Sequence, residues 1–571
     1  MTQGSISQET SITDEQVQSK LIRAIDTLSS MQKSDGNFEG NLSSSTFPSC
    51  AYAWIQLIQG GIPEESLINW FINNQSENGA WGLDPANQTN PHSTLFVRLI
   101  LKEVLDREAG PDLEKTLSNI PEYQQNLGLV KLAYASLNRF DWQKLTIPKN
   151  AIPLIKLVKF LSQFPILKKR LKPPRHKLPP VDLFNTSLFE ELFIAEQHTL
   201  VPVFIIIELN TGNRIEIINS LVSWLKTRVL SDGSWFRVNF ITALSVLALI
   251  AVDQTDHSDP EIPQFIERGM DWLKKTKNPD GGFREAINLN VWDTALSIIA
   301  LTEIEELASD KTDQIYTAAQ WLVDHQNEDG GWAFSGMKDS TLPSDADDTA
   351  LGTLSLIRSK LSSKEAQISI DNGVRWLIEN QGVEGSWSTY QPGEGDVGCV
   401  SITSHAIEAL LAYGNNIESI NRGIEWLQGA IHRDGYWNDL WLAKRTYGTA
   451  CAITAFVKAG FDDVPEISQG VRWLEDNQNP DDGWGEDMFG NPTESTVEQT
   501  AWCTYALLLT NNENPSARKG IQFLIDNQDE NGTWKDSCVG IYWEIIGGYS
   551  DPIYASVFPI LALNQYLKVR K

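Results

Sequence analysis

Apolar and polar positions follow one another along this chain in paired segments. In stretches such as 268–277 (RGMDWLKKTK), 373–381 (GVRWLIENQ) and 470–478 (GVRWLEDNQ), apolar residues recur at three- and four-residue spacing. That period predicts amphipathic helices with one wet face. Strings such as Asn-Pro-Asp-Gly-Gly (278–282) and Asn-Glu-Asp-Gly-Gly (327–331) follow them and read as helix stops and turns. A second segment then begins, apolar on most sides and rich in small residues: 294–304 (TALSIIALTEI), 349–359 (TALGTLSLIRS) and 500–510 (TAWCTYALLLT). Each unit is thus a half-wet helix, a glycine turn and a second helix that must be buried almost all round.

The turn carries its own signature, Q-x-x-x-G-x-W, complete at Gln75-Gly79-Trp81, Gln326-Gly330-Trp332, Gln381-Gly385-Trp387 and Gln528-Gly532-Trp534. From Trp235 onward the terminal aromatics fall at 235, 283, 332, 387, 437, 484 and 534, a spacing of 47 to 55 residues. A period of that size indicates an array of supersecondary units. Eleven residues before most of these terminal aromatics there is another, as at Trp272, Trp321, Trp376 and Trp473. Two helices per unit and about six units per ring give an α/α toroid, and the chain holds enough units for two. Strand signals are weak, so the predicted class is all-α. Residues 100–220 carry no clear repeat, and the Pro-rich 171–180 (LKPPRHKLPP) reads as a surface excursion.

With 571 residues and a formal charge of −28, the chain is not a general nucleic-acid binder, because phosphate neutralisation needs clustered Lys and Arg. The five cysteines are widely spaced without a CxxC pair, which fits a reducing cytoplasm better than a disulfide framework. Residues 1–15 are polar and read as a flexible tail, not a signal peptide. No run reaches the roughly 20 apolar residues of a membrane span. The apolar 151–167 and the basic 168–177 (Lys168, Lys169, Arg170, Lys172, Arg175, Lys177) nevertheless make a peripheral membrane contact one reading, with Leu200 to Ile207 either joining that surface or forming a buried helix. A homodimer is left open.

The candidate chemistry is at 344–350, Ser-Asp-Ala-Asp-Asp-Thr-Ala, where Asp345, Asp347 and Asp348 put three carboxylates in four positions. Like charges this close raise at least one pKa, and a carboxyl group that stays protonated can donate to a very weak base.

Together the Q-x-x-x-G-x-W array and the Asp-x-Asp-Asp-Thr-Ala segment resemble the squalene-hopene cyclase group of class II terpene cyclases, as do V-W-D-T-A (291–295), G-W-G-E-D (483–487), Q-T-A-W (499–502) and V-F-P-I-L-A-L (557–563). The resemblance implies two α/α barrels, one inserted in the other: residues 16–30 with 288–571 as the catalytic barrel, and 31–287 as the second, carrying the basic apolar segment near 151–207. It implies cyclisation of a hydrophobic isoprenoid begun by protonating an alkene, with Asp347 as donor and Asp345 and Asp348 tuning it. His405, at the end of S-I-T-S-H, would support the acid. Where hopene cyclases have an Asp four residues earlier, this chain has Ser401, which implies a simpler polarising network. Aromatic faces stabilise cations, and the lining candidates are Trp292, Phe334, Tyr390, Trp441 and Tyr447. Nearer the C-terminus, Trp543, Gly547, Asp551 and Tyr554 stand where late ring closures are guided.

A second departure is Lys444-Arg445, between Trp441 and Tyr447. Arg and Lys bind phosphate oxygens well, so the pair reads either as solvent-facing or as a diphosphate clamp. The clamp and the shortness of the chain favour a C20 prenyl diphosphate cyclised with its diphosphate retained, Mg²⁺ accompanying it, over squalene. Asp536-Ser537-Cys538 lacks the later His of a zinc prenyltransferase, and Asp462-Asp463 stands before Pro465 at a helix start, not in a metal motif. A non-catalytic repeat scaffold leaves the Asp cluster without a purpose.

Overall fold

The computed structural model describes residues 12–85, 89–105, 128–148, 150, 152–153, 177–256, 259–304, 307–338, 342–390, 398–414, 416–543 and 547–570, the side chains of 542 and 543 excepted. Within them the chain is all-α, a double toroid with three short two-stranded antiparallel sheets at its turns.

Six buried helices close the larger ring: Asn290–Glu303, Ala346–Ser359, Val400–Tyr413, Thr446–Lys458, Val497–Thr510 and Pro552–Lys568. Each packs on the next, and the last returns to the first. Outer helices flank them, and Asp14–Ser30 packs against Pro552–Lys568 from the other end of the chain. Val17, Leu21, Ile25 and Leu28 of this N-terminal helix belong to the larger hydrophobic core, as do Phe38 and Leu42. A second core gathers Thr46–Ile58, Pro91–Leu105, Ile194–Thr211 and Asn239–Asp253.

The turn motif works as a staple. In Gln381-Gly385-Trp387, the Gln381 amide donates to the Gly385 carbonyl at 2.7 Å and to Ser419 of the next outer helix at 2.9 Å. The Trp387 indole donates to the Leu377 carbonyl at 2.7 Å, supplying a partner that the helix C-terminus lacks. The Trp387 backbone N–H donates to Thr403 Oγ1 at 3.1 Å, joining the turn to the following inner helix. The same bonds recur at Trp332 with Leu322 and Thr349, and at Trp437 with Leu427 and Thr449. Gly385 sits at φ +103°, and a Cβ there would stand 2.3 Å from the Arg422 carbonyl oxygen, so only glycine fits.

Leu200 to Ile207 resolves in favour of the buried alternative: Val201 to Ile207 are buried within Ile194–Thr211 and offer nothing to a membrane surface. Most of 151–177 lies outside the described residues, and the membrane reading of that segment with it. No described helix is long and apolar enough to cross a membrane.

Candidate active site

The acid cluster opens the inner helix Ala346–Ser359. Asp345 is its N-cap: Oδ1 accepts the Asp348 N–H at 2.8 Å, the short-range bond that makes Asp a good cap. The Asp345 N–H donates to the Trp332 carbonyl at 2.9 Å, so the preceding staple fixes where the cluster begins. Asp347 and Asp348 occupy the first turn and, like Asp345, are buried.

Burial alone disfavours three charges here. It pushes Asp345 up to about 7, against the hydrogen bond from Asp348 N–H and with added push from Asp347. Asp348 is held well above the carboxylate range by burial and then by the charges of Asp345 and Asp347, and its Oδ1 has no hydrogen-bond partner. Asp347 is also raised by burial, though less freely, because His405 favours its ionised form.

His405 stands on the neighbouring inner helix Val400–Tyr413, its Nδ1 2.6 Å from Asp347 Oδ1. Burial pulls the imidazole pKa down, but the Asp347 charge and hydrogen bond outweigh it, and the net shift is upward. On the far side of the ring, Nε2 lies 3.4 Å from the Tyr447 hydroxyl and 3.9 Å from Cys451 Sγ. The network is not the simpler one that Ser401 implies. Asp439, from the loop before Thr446–Lys458, accepts the Ser401 N–H at 3.0 Å and the Cys399 thiol at 3.3 Å with Oδ1, and the Trp441 N–H at 3.0 Å with Oδ2. Its charge raises the pKa of both Asp347 and His405. A carboxylate absent from position 401 is thus supplied from the next repeat.

Asp345, Asp347 and Asp348 line a cavity together with Trp292, Phe334, Tyr390, Trp441 and Tyr447. All five aromatic lining candidates near the acids are therefore brought together. Trp441 donates to Thr389 Oγ1 at 3.3 Å, and the Trp292 ring centroid is 5.9 Å from that of His405. Tyr447 is held edge-on by Trp502 at 4.9 Å and Phe558 at 6.0 Å, which fixes the orientation of its ring. Phe236 and Tyr549, which no motif pointed to, complete the wall with Tyr554; the Tyr549 and Tyr554 hydroxyls are 3.4 Å apart. Asp551 lies behind them as the N-cap of Pro552–Lys568 and faces Asp293, both raised by burial, Asp551 to about 7. Glu285, also unforeseen, lines the cavity as well.

Lys444 and Arg445 are not among the lining residues. The Arg445 guanidinium donates to the Gly490 carbonyl at 2.9 Å and lies 4.7 Å over the Tyr436 ring, so it braces the 487–491 turn and does not reach into the cavity. The reason is local: Arg445 precedes Thr446–Lys458, where its N–H and that of Thr446 are tied to Glu486, turning the side chain outward. The side chain of Trp543 lies outside the described residues. Among the described residues, no group of three His, Cys, Asp or Glu side chains is arranged to hold a metal ion.

The family model "Squalene-hopene cyclase C-terminal domain" matches residues 287–395 and 394–568, and "Prenyltransferase alpha-alpha toroid domain" matches 9–135. The squalene–hopene cyclase of Alicyclobacillus acidocaldarius is 26% identical over 627 residues, an alignment spanning 96% of this chain and 97% of that one. That of Zymomonas mobilis is 28% identical over 332 residues, 49% of each chain. Among solved structures, ent-copalyl diphosphate synthase from Streptomyces platensis shares the fold, with a TM-score of 0.57 at 15% identity over 96% of this chain and 99% of that one. With both toroids, the acid cluster and matches of this extent, the chain belongs to the class II terpene cyclases, in the family of the squalene–hopene cyclases.

Proposed function

We propose that this enzyme protonates a terminal alkene of a linear polyprenoid from Asp347 and cyclises the resulting cation between the aromatic walls of the cavity. The observation that carries the reading is the 2.6 Å contact of His405 with Asp347 at the edge of an almost wholly apolar chamber. An alkene is so weak a base that its donor must be a neutral acid in a dry site. With Nδ1–H donating to Oδ1, the acidic proton is left on Oδ2, and the same bond stabilises the carboxylate that remains after transfer. Tyr447 accepts or donates at Nε2, holding the ring in place. Trp292, Trp441 and Tyr447 offer the cation π faces, each worth about 0.5–2 kcal/mol to a desolvated charge.

For the substrate, the position of Arg445 removes the support that a diphosphate clamp would give, and the described lining carries no Lys or Arg. An uncharged polyprenoid suits such walls better than a prenyl diphosphate. The test is to supply squalene, farnesyl diphosphate and geranylgeranyl diphosphate, with and without Mg²⁺, and to analyse products by mass spectrometry. Uncharged chains are expected to be converted, and Asp347→Asn to remove turnover while leaving the melting temperature near that of the wild type. Conversion of the diphosphates alone, or an active Asp347→Asn, would overturn this reading.

A further inference from the structure

A fourth carboxyl group, apart from the Asp cluster, lines the same cavity and takes no part in the protonation just described. Glu285 is 1% exposed, and neither side-chain oxygen has a hydrogen-bond partner. The nearby Ser45 hydroxyl, which opposes the upward shift of its pKa, is itself bonded to the Leu83 carbonyl at 3.2 Å. The backbone that carries Glu285 is pinned on both sides. Arg284 N–H donates to the Thr276 carbonyl at 3.0 Å, the Glu285 carbonyl accepts from Asn239 N–H at 2.8 Å, and Ala286 pairs with Val238. The group is therefore placed by rigid structure, not left by a loose loop.

Burial raises Glu285 to about 8, and none of the Asp cluster contributes to that shift, so the group stands electrostatically apart from the proton donor. At neutral pH it is mostly the uncharged acid, with an O–H to donate and a carbonyl oxygen to accept. Leaving such a group buried and unpaired costs about 1–3 kcal/mol, and a pure hydrocarbon in the cavity would leave it so. A diphosphate would bring negative charge against a group that becomes anionic itself.

We propose that Glu285 is the recognition site for an uncharged hydroxyl group on the polyprenoid, one hydroxyl both donating to and accepting from its carboxyl. This rests on the reading of the cavity as a polyprenoid chamber, and narrows its substrate class to chains that carry an alcohol. Saturated probes separate the two ideas, because Asp347 has nothing to protonate in them. Binding of a saturated, branched C20 alcohol and of the matching C20 alkane is measured by quenching of tryptophan fluorescence, Trp292 and Trp441 lying in the wall. The full-length wild type is expected to prefer the alcohol by about tenfold, the size of one good hydrogen bond. Glu285→Leu should lose that preference while binding the alkane at least as well, which also shows the variant is folded; Glu285→Gln, which can still donate and accept, should keep most of it. Equal binding of the two probes by the wild type, or an undiminished preference in Glu285→Leu, would overturn the proposal. Turnover by Asp347→Asn reads the proton-donor assignment separately.

Discussion

Asp347 is poised between two opposing demands. Burial keeps its proton on, whereas His405 at 2.6 Å favours letting it go. Removing the imidazole leaves burial and the charge of Asp439, both of which keep the proton on. His405→Ala should therefore raise the Asp347 pKa, weaken the acid and move the alkaline limb of the pH–rate profile to higher pH, with kcat falling by about 10²-fold or more. A lower kcat with an unmoved limb would mean that His405 supports the fold and not the acid. The residue scale also marks where sequence reading stops. Asp345, Asp347 and Asp348 were legible because their spacing along one chain segment already suggests chemistry, and His405 because S-I-T-S-H resembles a stretch of the family. Asp439 was not, because its bond to Ser401 joins two repeats 38 residues apart and N-D-L-W carries no local pattern. Arg445 misled for the same reason: composition gives a side chain's chemistry, but only the neighbouring Gly490 carbonyl and Tyr436 ring tell where it points.

At the scale of the element, the Gly turn does more than end a helix. Gln381, Gly385 and Trp387 tie one outer helix, the next outer helix and the following inner helix together within a few residues. All but one of these bonds stay inside a single repeat, which is why the motif could be read from spacing alone. Gly385→Ala would force a Cβ to within 2.3 Å of the Arg422 carbonyl and an unfavourable positive φ besides. Strain of this kind costs about 1–3 kcal/mol. The expected result is a clear fall in melting temperature, whereas Gly414→Ala, also at positive φ but with open space around it, should fall less. Equal losses would show that backbone conformation alone, not the close approach of neighbouring repeats, demands glycine at the staple.

At the scale of the whole molecule, the double toroid collects acids that would be ionised in water. Burial holds Asp345 and Asp551 near about 7, and Glu285 and Glu498 near about 8. Unfolded, the same groups release their protons at about 4. At those groups the native state binds more protons than the unfolded state between those limits, so the stability they contribute is fully present at low pH and lost as pH rises through the folded values. Melting temperature should fall from pH 5 to pH 9, and Glu498→Gln, away from the cavity, should flatten that fall; a rising curve would contradict it. The toroid pair was predictable because its period is built into the sequence, but the cavity that gives it a purpose depends on side chains from both cores, Phe236 and Tyr390 from one and Trp292 and Tyr447 from the other. The central claim is that a proton from Asp347 starts the reaction and is replenished from solvent. Turnover of the preferred polyprenoid in D₂O, followed by mass spectrometry of the cyclic product, tests it most directly. The account predicts at least one deuterium on a carbon of every product molecule made by the wild type, and no product from Asp347→Asn. Cyclic product without carbon-bound deuterium, or labelled product formed at the wild-type rate by Asp347→Asn, would contradict it.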